Sequence, residues 1–402
     1  MNLTVAMRII GGFAIILILL VLTSIISWGN LNTISDSTEQ QNQLAIPTLK
    51  GSNLLALELS QMANLTLKGF YQTELTPLAE NLQAFTSINA KFSPALKQLK
   101  TLVQNESDLI NNLNNVTKIF AKFETEALAV FKNRKVSIEQ KNAVTEKATL
   151  LEDKADDAVT LLLDLADHDL ADSKLQRALI LSEQLENQFN SIVSSSFEYR
   201  DTLSQTTADL IEGEIYFSLE GAQNSVNEIF AELTMNGIDD IVQDLSAAFT
   251  DIEDLLSSDS GVLFHKRSQL TANQQAKSML KSVEENTKQV NKILDKQVNL
   301  ANKTTMEASE LVKDSVSSGK TQTAIIVAVS ILIAIIITRF TLISITRPLA
   351  RVNDMLNIVA SGDLSRKLDE SGQDEFAQLA NNCNLLIDSL RNLIEGIVNR
   401  SS

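Results

Sequence analysis

The 402 residues carry a formal net charge of −16, with 44% hydrophobic and 5% aromatic residues, 13 glycines, four prolines and one cysteine. So acidic a balance argues against nucleic acid as a partner, because phosphates demand a basic footprint. One cysteine excludes an intrachain disulfide, and the scarcity of glycine and proline argues against a fold of many strands and turns.

In chain order, the first element is an apolar stretch. Residues 9–28 contain no charge, and twenty residues at 1.5 Å rise reach about 30 Å, the thickness of a hydrocarbon core. No small-x-small cleavage site follows, and Trp28 stands where an interfacial aromatic belongs, so an uncleaved anchor is expected rather than a signal peptide. A second span is expected over residues 323–345. Its one charge, Arg339, lies towards the basic end and can snorkel to the headgroups. Arg8 precedes the first span, and Arg347 and Arg351 follow the second, which places both termini in the cytoplasm by the positive-inside rule. The expected organisation is a cytoplasmic N-terminus (1–8), a transmembrane helix (9–29), an external region (30–322), a second transmembrane helix (323–345) and a cytoplasmic segment (346–402).

All the excess negative charge is external: residues 30–322 hold 26 Lys+Arg against 42 Asp+Glu, while the remainder has eight of each. Solubility of an exposed helical surface accounts for this, with attraction of a cationic ligand as the sharper alternative. Three prolines (Pro47, Pro77, Pro94) and seven glycines among these residues leave an almost entirely helical reading. Breaks are expected near Thr76-Pro77, Ser93-Pro94, Asp167 to Asp172, Gly213, Asn236-Gly237 and Ser257 to Gly261. The helix after Asn30 should continue the first span outwards, and the last external helix should start near Val262 and run into the second span. One bundle of four helices would need about 70 residues, roughly 105 Å, in each. Two stacked four-helix modules, with two long helices running through both, are more economical. A weak internal echo agrees: Phe70-Tyr71-Gln72-Thr73-Glu74-Leu75 and Glu198-Tyr199-Arg200-Asp201-Thr202-Leu203 share an aromatic and a leucine position.

Beyond the second span come two heptad strips. Ile345, Leu349, Val352, Leu356 and Val359 alternate steps of four and three, as do Phe376, Leu379, Cys383, Leu386, Leu390, Leu393 and Ile397. Two such helices cannot bury their seams alone, so a parallel four-helix bundle made by a homodimer is expected. Pro348 suits the first turn of the first helix. Gly362-Asp363-Leu364 opens the connector, Leu368 is its second apolar residue, and Asp374-Glu375 heads the second helix, where acids favour the dipole. With Leu379-Ala380 and Asn384, this segment resembles a HAMP domain. It departs from that family at Cys383, where a larger apolar residue usually precedes the asparagine, and there the cysteine reads as a packed thiol.

The layout as a whole resembles a bacterial transmembrane chemoreceptor or a sensor histidine kinase with a helical bimodular sensing region. Ile46-Pro47 in the first external helix is a looser similarity. The resemblance implies an all-α protein in the bacterial inner membrane, with residues 30–322 in the periplasm. It implies a homodimer that binds a small organic acid or a periplasmic binding protein and acts on a downstream kinase pathway, most naturally for chemotaxis. The run Leu390-Arg391-Asn392-Leu393-Ile394-Glu395 favours the chemoreceptor over the kinase. No output module follows Ile397, so the expectation is a piece of a longer chain or action through a partner at the HAMP-like bundle. An adaptor with a stable external protein partner is the third reading.

No catalytic constellation, cofactor fingerprint or metal site is expected. His168 and His265 each stand without a second ligand at metal spacing. Asp164, Asp167, His168, Asp169 and Asp172 read as a solvated helix end rather than a cation loop. Of the four external arginines, Arg134, Arg177, Arg200 and Arg267, Arg200 is the first candidate for holding a ligand carboxylate by two parallel hydrogen bonds. Phe197, Tyr199 and the small residues 194–196 could form an aromatic-lined pocket around it. The alternative is an exposed arginine paired with Glu198 or Asp201. Residues 132–135 and 265–267 are read as charges at helix C-termini.

Overall fold

The computed structural model describes residues 4–167, 176–369 and 374–401. It is 93% helical, with no strand among those residues. Two compact units result, Pro47–Asn302 and the pair of segments Met1–Ile46 with Lys303–Ser402.

In the first unit, helices α2 (Ile46–Tyr71), α3 (Leu75–Leu102), the beginning of α4 (Ser107–Asp167) and the early part of α8 (Val262–Ala360) form one group. Its core is aromatic. Phe92 of α3 stacks on Phe120 of α4 with centroids 3.9 Å apart, and Phe85 lies 5.7 Å from Phe131. Phe131 also lies under Gly69 of α2, where an added Cβ would run into its ring. Helix α8 runs antiparallel to α4, and polar side chains mark the register: Asn112 with Gln297, Glu126 with Asn286, Arg134 with Asn273 and Gln140 with His265. The later part of α4 joins α5 (Gln176–Asp201), α6 (Gln205–Met235) and α7 (Asp239–Ser257) in a second group. Its core unites Leu151, Leu162, Phe189, Ile192, Ile215, Ile229, Phe249 and Ile252.

The expected pair of stacked groups is present, but their long helices differ from the expectation. Helix α4, 61 residues long, runs through both groups, whereas α8, which begins at Val262 as expected, adds only its first turns, Val262, Leu263 and Leu270, to the second core before joining the first group. Helices do break at residues 72–74, 236–238 and 258–261. Pro94 and Gly213 break nothing. Pro94 removes one backbone bond from α3, and burial of Phe92, Leu96 and Leu99 around it holds the helix. Gly213 lies between buried Ile211 and Ile215 of α6. Two turns escaped the sequence reading, at residues 103–106 and 202–204. The second is closed by Ser204, whose hydroxyl accepts from the Thr207 N–H and caps α6.

In the other unit, α1 (Val5–Gln40) continues well beyond Trp28 and passes into a π-helical turn at Gln41–Ala45. Helices α1 and α8 each contain a stretch long and apolar enough to cross a membrane. Phe13, Leu17 and Leu20 of α1 and Ile331, Ile335 and Phe340 of α8 are mostly exposed, an arrangement that suits lipid rather than water. The two helices run antiparallel and close, Gly12 against Ile337 and Asn30 against Gly319. The last helix is α9 (Glu375–Ser401).

Candidate functional site

Two places concentrate polar geometry: the meeting of α4, α5, α6 and α8 in the first unit, and the turn from α8 into α9 in the second.

At the first, Arg200 lies in the last turn of α5. Its Nε and Nη2 each donate to a carboxylate oxygen of the neighbouring Asp201 at 2.8 Å, and its guanidinium lies 4.7 Å from the Phe197 ring centroid. That hydrogen bonding raises the Arg200 pKa and lowers that of Asp201. Of the three residues expected around a ligand, the structure brings Arg200 and Phe197 together. Tyr199 is fully buried, and its hydroxyl donates to Glu212 of α6 at 2.9 Å. Burial pushes the Tyr199 pKa up to about 12, against the lowering effect of nearby Arg267, which also binds Glu212. The edge of Arg200 that would hold a ligand carboxylate is thus occupied by Asp201.

Lys266 and Arg134 were not singled out as site residues, and both are internal. Lys266 is fully buried, and its Nζ donates to the Arg200 carbonyl at 2.7 Å. Desolvation lowers its pKa to about 8, with Asp201 opposing and Lys141 reinforcing the shift. Arg134 donates through Nε to the Gln72 carbonyl at 2.8 Å and through Nη1 to Asn273, and it lies 5.9 Å from the Phe70 ring centroid. Burial lowers its pKa too. The reading of residues 132–135 and 265–267 as C-terminal charges is corrected: the former lie inside α4 and the latter in the opening turns of α8. The positive end of a helix disfavours cations there, so partners elsewhere hold them. Asp164 lies near the end of α4, while His168, Asp169 and Asp172 lie outside the described residues.

A groove of about 840 Å³ runs between α5 and α6, lined among others by Glu183, Gln188, Phe217, Glu220 and Gly221. Arg200 does not line it. Ile180 of α5 and Phe217 of α6 give it two exposed apolar side chains.

At the second place, α8 ends in a turn that needs glycine. Gly362 has φ +93°, its N–H donates to the Val359 carbonyl, and the Asp363 N–H donates to the Ile358 carbonyl, the paired bonds of a Schellman closure. Asp363 then accepts from the backbone and hydroxyl of Ser365, and those bonds lower its pKa. Leu364 and Leu368 are half-buried. Asn384 of α9 binds both backbone groups of Leu368, and Asp374 caps α9 by accepting from the Ala377 N–H. Glu375 accepts from the Val5 N–H at the start of α1, at 2.8 Å. Pro348 does not open a helix, a correction to the expected boundary. It lies inside α8, because the preceding residues are already helical and one missing N–H does not stop a helix of 99 residues. Between α8 and α9, Val352, Met355, Ala380 and Ile387 are buried. The seam residues Leu349, Leu356, Leu386 and Leu390 are 38–53% exposed.

Residues 340–392 match the HAMP domain family, and the chain therefore carries a HAMP domain. With two helices apolar enough to cross a membrane, this marks a membrane-bound protein of signal transduction. Curated protein sequences gave no match. Among solved structures the chain is similar to a crystal structure of the TorS sensor domain in complex with TorT, obtained in the presence of TMAO. The identity is 12% and the TM-score 0.37, with 63% of this chain and 99% of that one covered. At that score the likeness carries no functional weight.

Proposed function

We propose that the chain is a transmembrane receptor that senses a small molecule through residues 30–322 and passes a conformational change to its HAMP domain, for chemotaxis. The supporting observation is α8 itself. One helix, Val262–Ala360, includes the contacts with α5 near its start, an apolar span, and the first HAMP strip near its end. A ligand that binds one helix arrangement more tightly shifts its population, and packed helices respond to displacements of about 1–2 Å. The half-exposed HAMP seam supports a parallel homodimer, since a second copy would cover Leu349, Leu356, Leu386 and Leu390. The residues proposed to convert the signal are Pro348, Gly362, Leu364, Leu368 and Glu375. No catalysis is assigned to the chain. A sensor histidine kinase and an adaptor for a periplasmic binding protein are the alternatives.

The proposed ligand is an organic acid that displaces Asp201 from Arg200, beside Phe197. A second reading places an amine in the α5–α6 groove, whose lining offers Glu183 and Glu220 and no lysine or arginine. The test is thermal stabilisation of the full chain in lipid nanodiscs against organic acids, amino acids and amines, with the alkylation rate of Cys383 followed in parallel. Saturable stabilisation that also alters Cys383 reactivity is expected. Absence of any stabilisation across the panel would overturn direct sensing and favour recognition of a protein partner.

A further inference from the structure

The α2–α3 and α5–α6 pairs repeat one another more closely than their sequences suggest. Helices α2 and α5 end 130 residues apart (71 and 201), α3 and α6 start 130 apart (75 and 205), and α4 and α7 start 132 apart (107 and 239). The long helix α4 is matched by α7 and α8 together, which are separated at residues 258–261. The spacing of 132 recurs between Arg134 and Lys266. These two cations make a similar contact, a hydrogen bond to a carbonyl at the C-terminal end of the first helix of each pair, Gln72 just beyond α2 and Arg200 one residue before the end of α5. Gln72 and Arg200 each follow the tyrosine of the sequence echo. The tyrosine environments differ, Tyr71 being exposed and Tyr199 buried, so the shared feature is the backbone carbonyl. Beyond each cation the chain leaves its own pair and joins the other group: α4 continues among α5, α6 and α7, and α8 continues alongside the early part of α4.

We propose that the external unit is two exchanged copies of one three-helix element, the third helix being α4 in one copy and α7 with α8 in the other, and that each copy is closed by the same latch, a cation of the third helix held on a carbonyl at the C-terminal end of the first. The final carbonyls of a helix have no partner within it, so a buried donor at that place fixes the turn that follows. The two latches differ in strength. Arg134 is held by a carbonyl, an amide oxygen and an aromatic ring, whereas Lys266 is held by a carbonyl, with Asp201 of α5 and Lys141 of α4 as the charges acting on it. The Lys266 latch is therefore the releasable one, and it ties the α5–α6 turn to α8. This requires no ligand and stands apart from the receptor reading.

Amide hydrogen exchange of the full chain in nanodiscs tests it. Lys266→Met is expected to speed exchange over residues 199–207 by tenfold or more and to leave residues 70–78 within twofold of the parent. Arg134→Met is expected to do the converse, and Lys266→Arg to keep residues 199–207 at parental rates. Unchanged exchange at 199–207 in Lys266→Met, or equal loosening of both turns in either variant, would overturn the proposal. Should Lys266→Met not fold, Lys266→Gln, which keeps a shorter donor, is expected to give a smaller rise at 199–207 alone, and no rise there would overturn it equally.

Discussion

Asn384 closes on Leu368 with both ends of its side-chain amide: its Oδ1 accepts from the Leu368 N–H and its Nδ2 donates to the Leu368 carbonyl, each at 2.9 Å. Asn384 is 3% exposed, so neither backbone group would find water readily if the amide were lost. Leaving a buried donor or acceptor unpaired costs about 1–3 kcal/mol. Asn384→Ala is therefore expected to release the connector and to raise amide exchange over residues 363–369 by at least tenfold. Asn384→Asp keeps the acceptor and loses the donor, and an intermediate effect is expected. Equal exchange in all three proteins would rule out the clamp.

Gly362 is tested through its backbone. At φ +93° an added Cβ costs about 1 kcal/mol, and a β-branched side chain costs more. Nothing lies within 4 Å of that Cβ, so the cost is conformational rather than steric contact with neighbours. Gly362→Ala should lower the stability of the HAMP segment by about that amount and Gly362→Val by more, while leaving the aromatic core of α3 and α4 untouched. Exchange protection at residues 352–387, compared with residues 85–131, gives the answer, and a more stable Gly362→Ala protein would contradict it.

The HAMP segment was legible because its signal is a periodicity carried by side chains, leucine after leucine at steps of three and four, with Gly362 at the positive φ that closes α8. The junction of α4, α5 and α8 was far less legible. Lys266 and Arg134 act on backbone carbonyls, which every residue has, so nothing at Arg200 or Gln72 announces an acceptor. Lys266 then reads as an ordinary surface charge. Arg200 looked like a ligand group because its neighbours are aromatic and small, yet Asp201, one residue on, occupies the same two donors. Pro94 and Gly213 misled for the complementary reason. Local propensity marked breaks there, and burial of Phe92, Leu96, Ile211 and Ile215 overrode it.

Arg200 separates binding from stability. Its pair with Asp201 joins adjacent residues, one of them 67% exposed, and such a pair contributes about 0–1 kcal/mol. Arg200→Ala should therefore leave the melting temperature nearly unchanged while abolishing stabilisation by an organic acid. Asp201→Asn should do the opposite for affinity, because it frees the guanidinium edge, and tighter binding is expected. If both variants bound the acid like the parent, the ligand would have to lie elsewhere, and the α5–α6 groove would be the next place to substitute.

Lys266 and Tyr199 give opposite pH dependences. The unfolded chain holds the lysine proton up to its ordinary pKa of 10.5, while the folded chain releases it at about 8. Over that window the unfolded state binds more protons, so stability rises with pH, by at most about 1.4 kcal/mol per unit. Tyr199 titrates at 10 when unfolded and about 12 when folded, so its contribution is fully present below 10 and is lost as pH rises towards 12. Denaturant midpoints from pH 7 to 11 should therefore rise from about 8 and flatten above 10. Lys266→Met should remove the rise, and Tyr199→Phe the flattening. A Lys266→Met protein with the parental slope would show that the buried amine is not its source.

Phase along α8 is what the receptor reading depends on most. Val352 and Met355 of α8 are 7% and 9% exposed, so the rotational setting of α8 decides which of its side chains are buried in the HAMP segment. One residue inserted between Ile345 and Pro348 advances the following helix by about 100° and 1.5 Å. That carries Val352 and Met355 off the contact and brings Arg351 and Asp354 into their places. Two residues more return the face to within about 60° of its starting direction. The single insertion should alter Cys383 alkylation and abolish any effect of ligand on it. Ligand binding itself should survive, because the first unit is untouched. An insertion of three residues in total should partly restore the parental behaviour. A single-insertion protein whose Cys383 still responds normally to ligand would show that the signal does not depend on the rotational phase of this helix.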